Sequence, residues 1–166
     1  MKKITFVFLL VLVCLFSAFS QTAKKPNPYK FGIGAGFYPG LTEPFALDVK
    51  FYTKTGNSFE FIGYNLEKAY RLTALFNPYF PINRQGNLRI VVGPGLHMGF
   101  WKEEFKTSNS YTNPIIGMDG IAGMEYRIPK LPLSFQLHYQ PSADLIGNNE
   151  FYFDSKWCGA IMKFVF

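Results

Sequence analysis

The chain has 166 residues, enough for one domain, and a formal net charge of +6. Aromatic residues make up 19% of it and charged residues only 17%, which excludes a disordered, highly charged tail. The positive residues are dispersed along the chain and do not form one patch, so the charge does not indicate a nucleic-acid partner.

Residues 1–20 are typical of a secretory signal peptide. Two lysines form a basic start, residues 4–16 are an almost unbroken apolar run, and small residues precede a predicted cut before Gln21. The alternative interpretation is a transmembrane anchor, but the run is short for a span of ~20 residues. Residues 21–28 form a polar leader that we expect to be flexible. Export leaves Cys158 as the one cysteine of the mature chain, so no intramolecular disulfide is expected.

From residue 29 to residue 166, apolar and polar residues alternate with the period of β-strands. No segment shows a convincing 3.6-residue period of a helix. Eight strands are predicted, at residues 29–38, 45–54, 57–65, 69–80, 87–101, 114–128, 132–141 and 155–166. The pattern predicts an all-β fold, an eight-stranded antiparallel up-and-down transmembrane β-barrel that occupies residues 29–166.

The stretch PLSFQLHYQP, residues 132–141, shows the polarity of the strands, because every second side chain is apolar and the others are polar. Elsewhere the charged residues share one face with many glycines, which suits a concave and crowded interior. We therefore predict that the polar face lines the lumen and the apolar face meets lipid. The predicted lumenal charge network comprises Lys30, Asp48, Lys50, Glu60, Arg71, Arg89, His97, Asp119, Glu125, Arg127, His138 and Lys163.

The connections between strands differ in length. Those after strands two, four and six are short, whereas KEEFKTSNSYTN and SADLIGNNEFYFD, after strands five and seven, are the longest. Short periplasmic turns and long outer loops are typical of outer-membrane barrels. The alternative is a soluble periplasmic barrel whose apolar outer face is buried elsewhere. Five loop aromatics predict either an interfacial belt or a surface-ligand site: Phe105, Tyr111, Phe151, Tyr152 and Phe153.

The chain ends in WCGAIMKFVF, a strand with alternating apolar residues and a terminal phenylalanine. This ending resembles the C-terminal insertion signal of Gram-negative outer-membrane barrels, here Met162, Phe164 and Phe166, which the barrel assembly machinery reads. GLHMGFW, IIGMDGIAGMEYRI and LPLSFQLHYQP also resemble the later strands of a family of small eight-stranded outer-membrane proteins. The resemblance covers about residues 29–166 and implies the fold and the outer membrane, but that family has no settled activity.

Catalytic and metal sites are only weakly indicated. Ser134 and His138 lie four residues apart on one strand, about 13 Å at ~3.3 Å per residue, which is too far for a nucleophile and its base. His97 and His138, with Asp119 and Glu125 between them, are a weak metal signal. GIGAG in the first strand lacks the following helix that a phosphate cradle needs.

The width of the predicted barrel limits the function. Eight strands enclose an interior just wide enough to be filled by side chains, which disfavours a general porin. We expect a non-enzymatic outer-membrane protein with a structural or surface-interaction role and no cofactor or metal. Its expected partners are outer-membrane lipid, the barrel assembly machinery and a surface ligand at the long loops. The alternatives are a narrow barrel that binds or passes a small ligand, and a lipid-active enzyme.

Overall fold

The structure is a computed structural model that describes residues 29–83, 85–102, 111–148, 152–155 and 157–166. The predicted signal peptide and leader lie outside these residues. The strands are β1 Phe31–Phe37, β2 Phe45–Tyr52, β3 Ser58–Asn65, β4 Ala69–Asn77, β5 Phe80–Pro81, β6 Leu88–Trp101, β7 Tyr111–Arg127, β8 Leu133–Tyr139, β9 Ser142–Asn148, β10 Tyr152–Asp154 and β11 Cys158–Val165. Within the described ranges, no helix has the length and apolar composition needed to cross a bilayer.

The strands form one antiparallel sheet that closes on itself. β1 pairs with β2 on one side and with β11 on the other, so the first and last strands of the barrel meet. Eight wall segments result, because β5 continues β4, β9 continues β8, and β10 leads into β11. The prediction of an all-β, eight-stranded, antiparallel up-and-down barrel is confirmed.

Two of the breaks within wall segments contain proline. Pro78 separates β4 from β5 and Pro141 separates β8 from β9, and neither residue can donate a ladder hydrogen bond. Beyond Pro141 the chain continues along β7, which extends past the end of β8, and then turns back as β10. The prediction of a loop was therefore wrong for Ser142–Asn148 and Tyr152–Asp154, because the long β7 offers backbone partners to β9, which in turn pairs with β10.

The two ends of the barrel differ. At one end, which we call the turn end, the connections are residues 53–57, 82–87 and 128–132. The opposite end, which we call the loop end, holds the long connection 102–110, most of which lies outside the described residues. Both chain termini of the barrel lie at the turn end, where Phe31 N donates a hydrogen bond to the backbone oxygen of Phe166 at 3.1 Å.

Side-chain polarity is reversed relative to a soluble domain. Among the described residues, 30 large hydrophobic side chains are exposed and 18 polar or charged residues are buried. The most exposed of the hydrophobic side chains is Leu47, at 72%, while the neighbouring Asp48 is fully buried. Soluble proteins rarely bury charged residues completely unless they are paired. The charged face of the strands therefore points into the barrel and the apolar face points outward.

Aromatic rings join neighbouring strands on the outer face near the turn end. The Phe31 ring centroid lies 5.2 Å from that of Phe51 and 6.2 Å from that of Phe166. Phe51 in turn lies 6.0 Å from Phe61, so the contacts run across three strands and the C-terminus. The residues predicted as the insertion signal are all exposed on this outer face: Met162, Phe164 and Phe166.

Candidate functional site in the lumen

The structure places eleven of the twelve residues of the predicted charge network in the interior, where all are buried. The exception is Lys30, whose side chain is exposed. Lys30 precedes the first residue of β1 at the turn end, so its side chain extends beyond the barrel wall. Its assignment to the network was wrong for that reason.

Lysines and carboxylates cross the lumen near the turn end. Lys50 Nζ lies 3.0 Å from Glu60 Oε2 and 2.8 Å from Glu125 Oε2. Lys163 Nζ pairs with Glu60 Oε1 and lies 3.1 Å from Asp48 Oδ1. These contacts join β2, β3, β7 and β11, so they connect opposite walls. We call the set the turn-end network: Asp48, Lys50, Glu60, Arg89, Glu125, Gln136 and Lys163.

Neutral side chains and a third cation complete the turn-end network. Gln136 Oε1 accepts from Lys50 Nζ at 2.8 Å and from Lys163 Nζ at 3.0 Å. Arg89 Nη2 lies 2.5 Å from Glu125 Oε2, and Tyr52 donates to the other oxygen of that carboxylate at 3.1 Å. Each buried glutamate is thus matched by cations and further donors, the condition under which buried charge is tolerated. The network therefore spans the lumen from wall to wall at this level.

Gly34 lets two partners of the turn-end network meet. It is opposite Lys163 on β11 and opposite Asp48 on β2. A Cβ atom on Gly34 would lie 2.8 Å from Lys163 Cγ and 2.1 Å from the Met162 backbone oxygen. A residue with a side chain would therefore block the path between the ammonium and the carboxylate.

Tyrosines and polar side chains form a layer across the middle of the lumen. Tyr38 Oη lies 3.0 Å from His138 Nε2, and Tyr64 Oη lies 3.1 Å from Tyr38 Oη. Tyr64 also lies 2.8 Å from Gln140 Oε1, whose amide nitrogen donates to Asp119 at 3.2 Å. This layer links the middle of the barrel to a second charged cluster.

The second cluster lies toward the loop end, where Asp119 bridges Arg71 and His97. Its Oδ1 pairs with Arg71 Nη2, and its Oδ2 lies 2.8 Å from His97 Nδ1. The other ring nitrogen of His97, Nε2, lies 2.8 Å from Asp144 Oδ1. Arg71 Nη2 also lies 2.9 Å from His97 Nδ1, so this ring nitrogen contacts both a donor and an acceptor. We call this set the mouth cluster: Arg71, His97, Asp119, Ser142 and Asp144.

Gly117 provides the space for the His97 ring. It lies opposite His97 in the β6–β7 pairing, and a Cβ atom there would lie 2.3 Å from His97 Cε1. The same Cβ would lie 2.2 Å from the Ala143 backbone oxygen. The absence of a side chain on β7 thus allows both the imidazole and β9 to approach closely.

The histidines are not arranged as general bases for a serine. Both ring nitrogens of His97 contact carboxylates, and Ser142 Oγ accepts from Arg71 Nη1 at 3.4 Å. His138 contacts the Tyr38 hydroxyl. A nucleophile needs its base within hydrogen-bond reach, which neither histidine offers to Ser142 or Ser134 in these contacts. In the part of the chain that the structure describes, no cluster of His, Cys, Asp and Glu is arranged to hold a metal ion.

A cleft of about 180 Å³ opens above the mouth cluster. Arg71, His97, Ser142 and Asp144 line it from below and from the β9 side. Its apolar lining includes four side chains on the remaining walls: Leu66, Trp101, Ile115 and Trp157. Among the described residues, the cleft borders the polar interior of the barrel at the loop end.

Hydrogen bonds fix both indole rings of the cleft. Trp157 Nε1 donates to Asp154 Oδ2 at 2.7 Å, and Trp101 Nε1 donates to the backbone oxygen of Gly147 at 3.3 Å. The Arg71 guanidinium also lies 4.3 Å from the Trp157 ring centroid, a cation–π distance. The walls of the cleft are therefore held in place by contacts within the protein.

Several residues of this site were missed by the sequence analysis. Ser142 and Asp144 were assigned to a loop, although they alternate with Ala143 and Leu145 as a strand would. Trp157, in the predicted last strand, was not included in the network. Four alternating residues, 142–145, are a weak signal, and the neighbouring proline made a loop the simpler interpretation.

The predicted loop aromatics are described only in part. Phe105 and Phe151 lie outside the described residues, as do the side chains of Tyr111 and Tyr152, whose backbones belong to β7 and β10. Phe153 is exposed on β10. Whether these aromatics form an interfacial belt or a ligand site stays a prediction.

No protein-family model and no curated protein sequence matches the chain. The resemblance to small outer-membrane proteins therefore stays a prediction.

Proposed function

We propose that this protein is an outer-membrane β-barrel of a Gram-negative bacterium, exported by its N-terminal signal peptide, with a non-enzymatic structural or surface-interaction role. The observation that carries the proposal is the apolar outer face. Exposed hydrophobic side chains occur on all eight wall segments, for example Ile33, Leu47, Phe61, Leu72, Leu96, Met118, Leu137 and Met162.

Water is an unfavourable surrounding for such a surface. Apolar area left exposed forgoes roughly 25 cal/mol per Å² of favourable transfer free energy, and monomeric soluble proteins rarely expose large contiguous apolar patches. Hydrocarbon demands instead that every backbone polar group be paired, and a closed ladder provides this pairing without an open edge. The pairing of β1 with β11 closes the sheet, and the apolar residues point outward. Both features fit a hydrocarbon environment.

The unequal ends support an orientation. The turn end, with its short connections and both termini, would face the periplasm, and the loop end would face the exterior. The outward Met162, Phe164 and Phe166 of the last strand would be the segment that the barrel assembly machinery reads during insertion.

The contacts inside the barrel give less support to the two alternative functions, passage of a small ligand and lipid-active catalysis. Passage of a solute would require the turn-end network to separate, because it joins opposite walls across the lumen. A lipid-active enzyme that used His97 would require the imidazole to leave both of its carboxylate partners. Binding of a ligand at the loop end requires neither separation of the turn-end network nor movement of the His97 imidazole.

Cell fractionation followed by gel electrophoresis with and without boiling tests the proposal. We expect the protein in the outer-membrane fraction, with a different mobility before and after boiling because the closed barrel resists SDS. Deletion of Phe166 should reduce the amount in the membrane, and Lys54→Met in the exposed turn at residues 53–57 is the control. A soluble periplasmic protein without a mobility shift would contradict the proposal and favour a soluble barrel.

A further inference from the structure

We propose that the mouth cleft binds a single neutral sugar unit. The cleft joins an apolar wall that contains Trp101 and Trp157 to a polar wall that contains Arg71, Ser142 and Asp144. Trp101 is the part-exposed ring of this wall, whereas Trp157 is buried between Arg71 and Tyr64. A sugar ring has the matching chemistry, because its C–H face packs on aromatic rings while its hydroxyl groups both donate and accept hydrogen bonds. The inference deepens the proposed surface-interaction role and rests on it for biological meaning.

The charge of the cleft favours a neutral ligand. Arg71 pairs with Asp119, and His97 lies between Asp119 and Asp144, so each of these polar groups already has a partner within the protein. At the rim, Lys68 and Asp154 are of opposite sign. A strongly ionic ligand would have to displace one of these pairs, whereas hydroxyl groups add hydrogen bonds to groups that stay paired.

The hydrogen-bonding capacity at the base of the cleft fits hydroxyl groups. Ser142 Oγ accepts from Arg71 in the structure, so its own proton remains a donor for a ligand oxygen. Arg71 is only 9% exposed and is held by Thr73, Ser142 and Asp119. Rigid polar groups of this kind lose little freedom on binding, which favours recognition of a small ligand.

The size of the cleft limits the ligand to one unit. Its volume of about 180 Å³ lies below the ~300–1,000 Å³ typical of sites for drug-sized ligands. The ligand would therefore be one residue of a sugar, either free or at the end of a glycan chain. Binding of the isolated unit should be weak, with a Kd on the order of 1 mM.

Intrinsic fluorescence provides a direct test, because the chain has two tryptophans and both line the cleft. The full barrel would be purified in a detergent without a sugar headgroup and titrated with glucose, galactose and mannose. We expect a saturable change in tryptophan emission with at least one of them. Glycerol and sodium acetate should give no saturable change.

Matched serine variants locate the binding. Ser142→Ala should weaken the affinity about tenfold, whereas Ser134→Ala, a buried serine near the turn end, should leave it unchanged. If Ser142→Ala does not fold, Lys68→Ala at the exposed rim should still weaken binding. To separate the two sources of the sugar, free hexose is compared with a glycan that ends in the same unit.

Several outcomes would overturn the inference: no saturable response to any of the three hexoses, a response that neither Ser142→Ala nor Lys68→Ala alters, or a response to acetate alone. Each leaves the membrane assignment untouched, since that assignment is judged by fractionation and gel mobility. A protein found soluble in the periplasm would contradict the membrane assignment even if the cleft binds sugar.

Discussion

The turn-end network and the mouth cluster are built from similar residues but differ in their surroundings. In the turn-end network, Lys50, Glu60 and Lys163 are completely buried and connect opposite walls. In the mouth cluster, Arg71 and Asp144 retain some exposure and border an open cleft. The comparison indicates that buried charge in this barrel has two uses. Near the turn end it joins opposite walls, and near the loop end it lines a cleft.

The largest effect is expected from Lys163→Met. This change leaves the Glu60 and Asp48 carboxylates without one of their cations in a sealed interior, and breaking a buried pair typically costs about 3–5 kcal/mol. The free energy of unfolding would be measured by urea titration in detergent micelles. Lys54→Met, in an exposed turn, is the control and should change it by less than about 0.5 kcal/mol. If the two substitutions changed the free energy of unfolding equally, the structural role assigned to the turn-end network would be contradicted.

A smaller and more local effect is expected from Asp144→Asn. The change weakens one of the two charge-assisted hydrogen bonds of His97, and such a bond contributes about 1 kcal/mol or somewhat more. Hydrogen exchange should speed up for the amides of β9 and remain unchanged for those of β11. Glu43→Gln, at an exposed position near the same end, is the control. Faster exchange throughout the barrel would contradict the separation of the two regions.

The smallest effect is expected from Lys130→Asn, in the connection at residues 128–132 of the turn end. Lys130 has φ of 70°, in the left-handed region, and follows Pro129 within the hydrogen-bonded turn from Ile128 to Leu131. Asparagine tolerates this region better than lysine, so the variant should be more stable by about 0.5 kcal/mol. Thermal unfolding in detergent would measure the gain, and Lys54→Asn is the control. A loss of stability would show that the lysine side chain contributes more than the turn geometry suggests.

The sequence predicted the wall of the barrel well because period-two alternation is a local property of each strand. It also indicates some partners in the lumen. Lys50 and Glu60 lie opposite each other because the turn at residues 53–57 sets the register of β2 and β3. The pairing of Lys50 with Glu125, 75 residues away, depends on how the strands are staggered around the closed barrel. Alternation alone does not fix that stagger.

The mouth was predicted less well than the wall. Its histidine and two of its charged residues, Arg71 and Asp119, were placed on the lumenal face, but Asp144 and Ser142 were assigned to a loop. That error followed from reading Pro141 as the end of a strand, whereas the chain continues along the same neighbour after a break. The cleft itself depends on Trp101 of β6 and Trp157 just before β11, which lie on wall segments that are not neighbours and line one cleft only in the closed barrel.

The central claim is that the outer face of the barrel meets lipid. Spin labels at Leu47→Cys and Met162→Cys, in a Cys158→Ser background, test it most directly after reconstitution in liposomes. The account predicts that both labels are accessible to oxygen, which concentrates in hydrocarbon, and protected from a water-soluble nickel chelate. A label at Thr55→Cys in the exposed turn should show the opposite behaviour. Free access of the nickel chelate to the labels at positions 47 and 162 would contradict the account, because the apolar face would then lie in water.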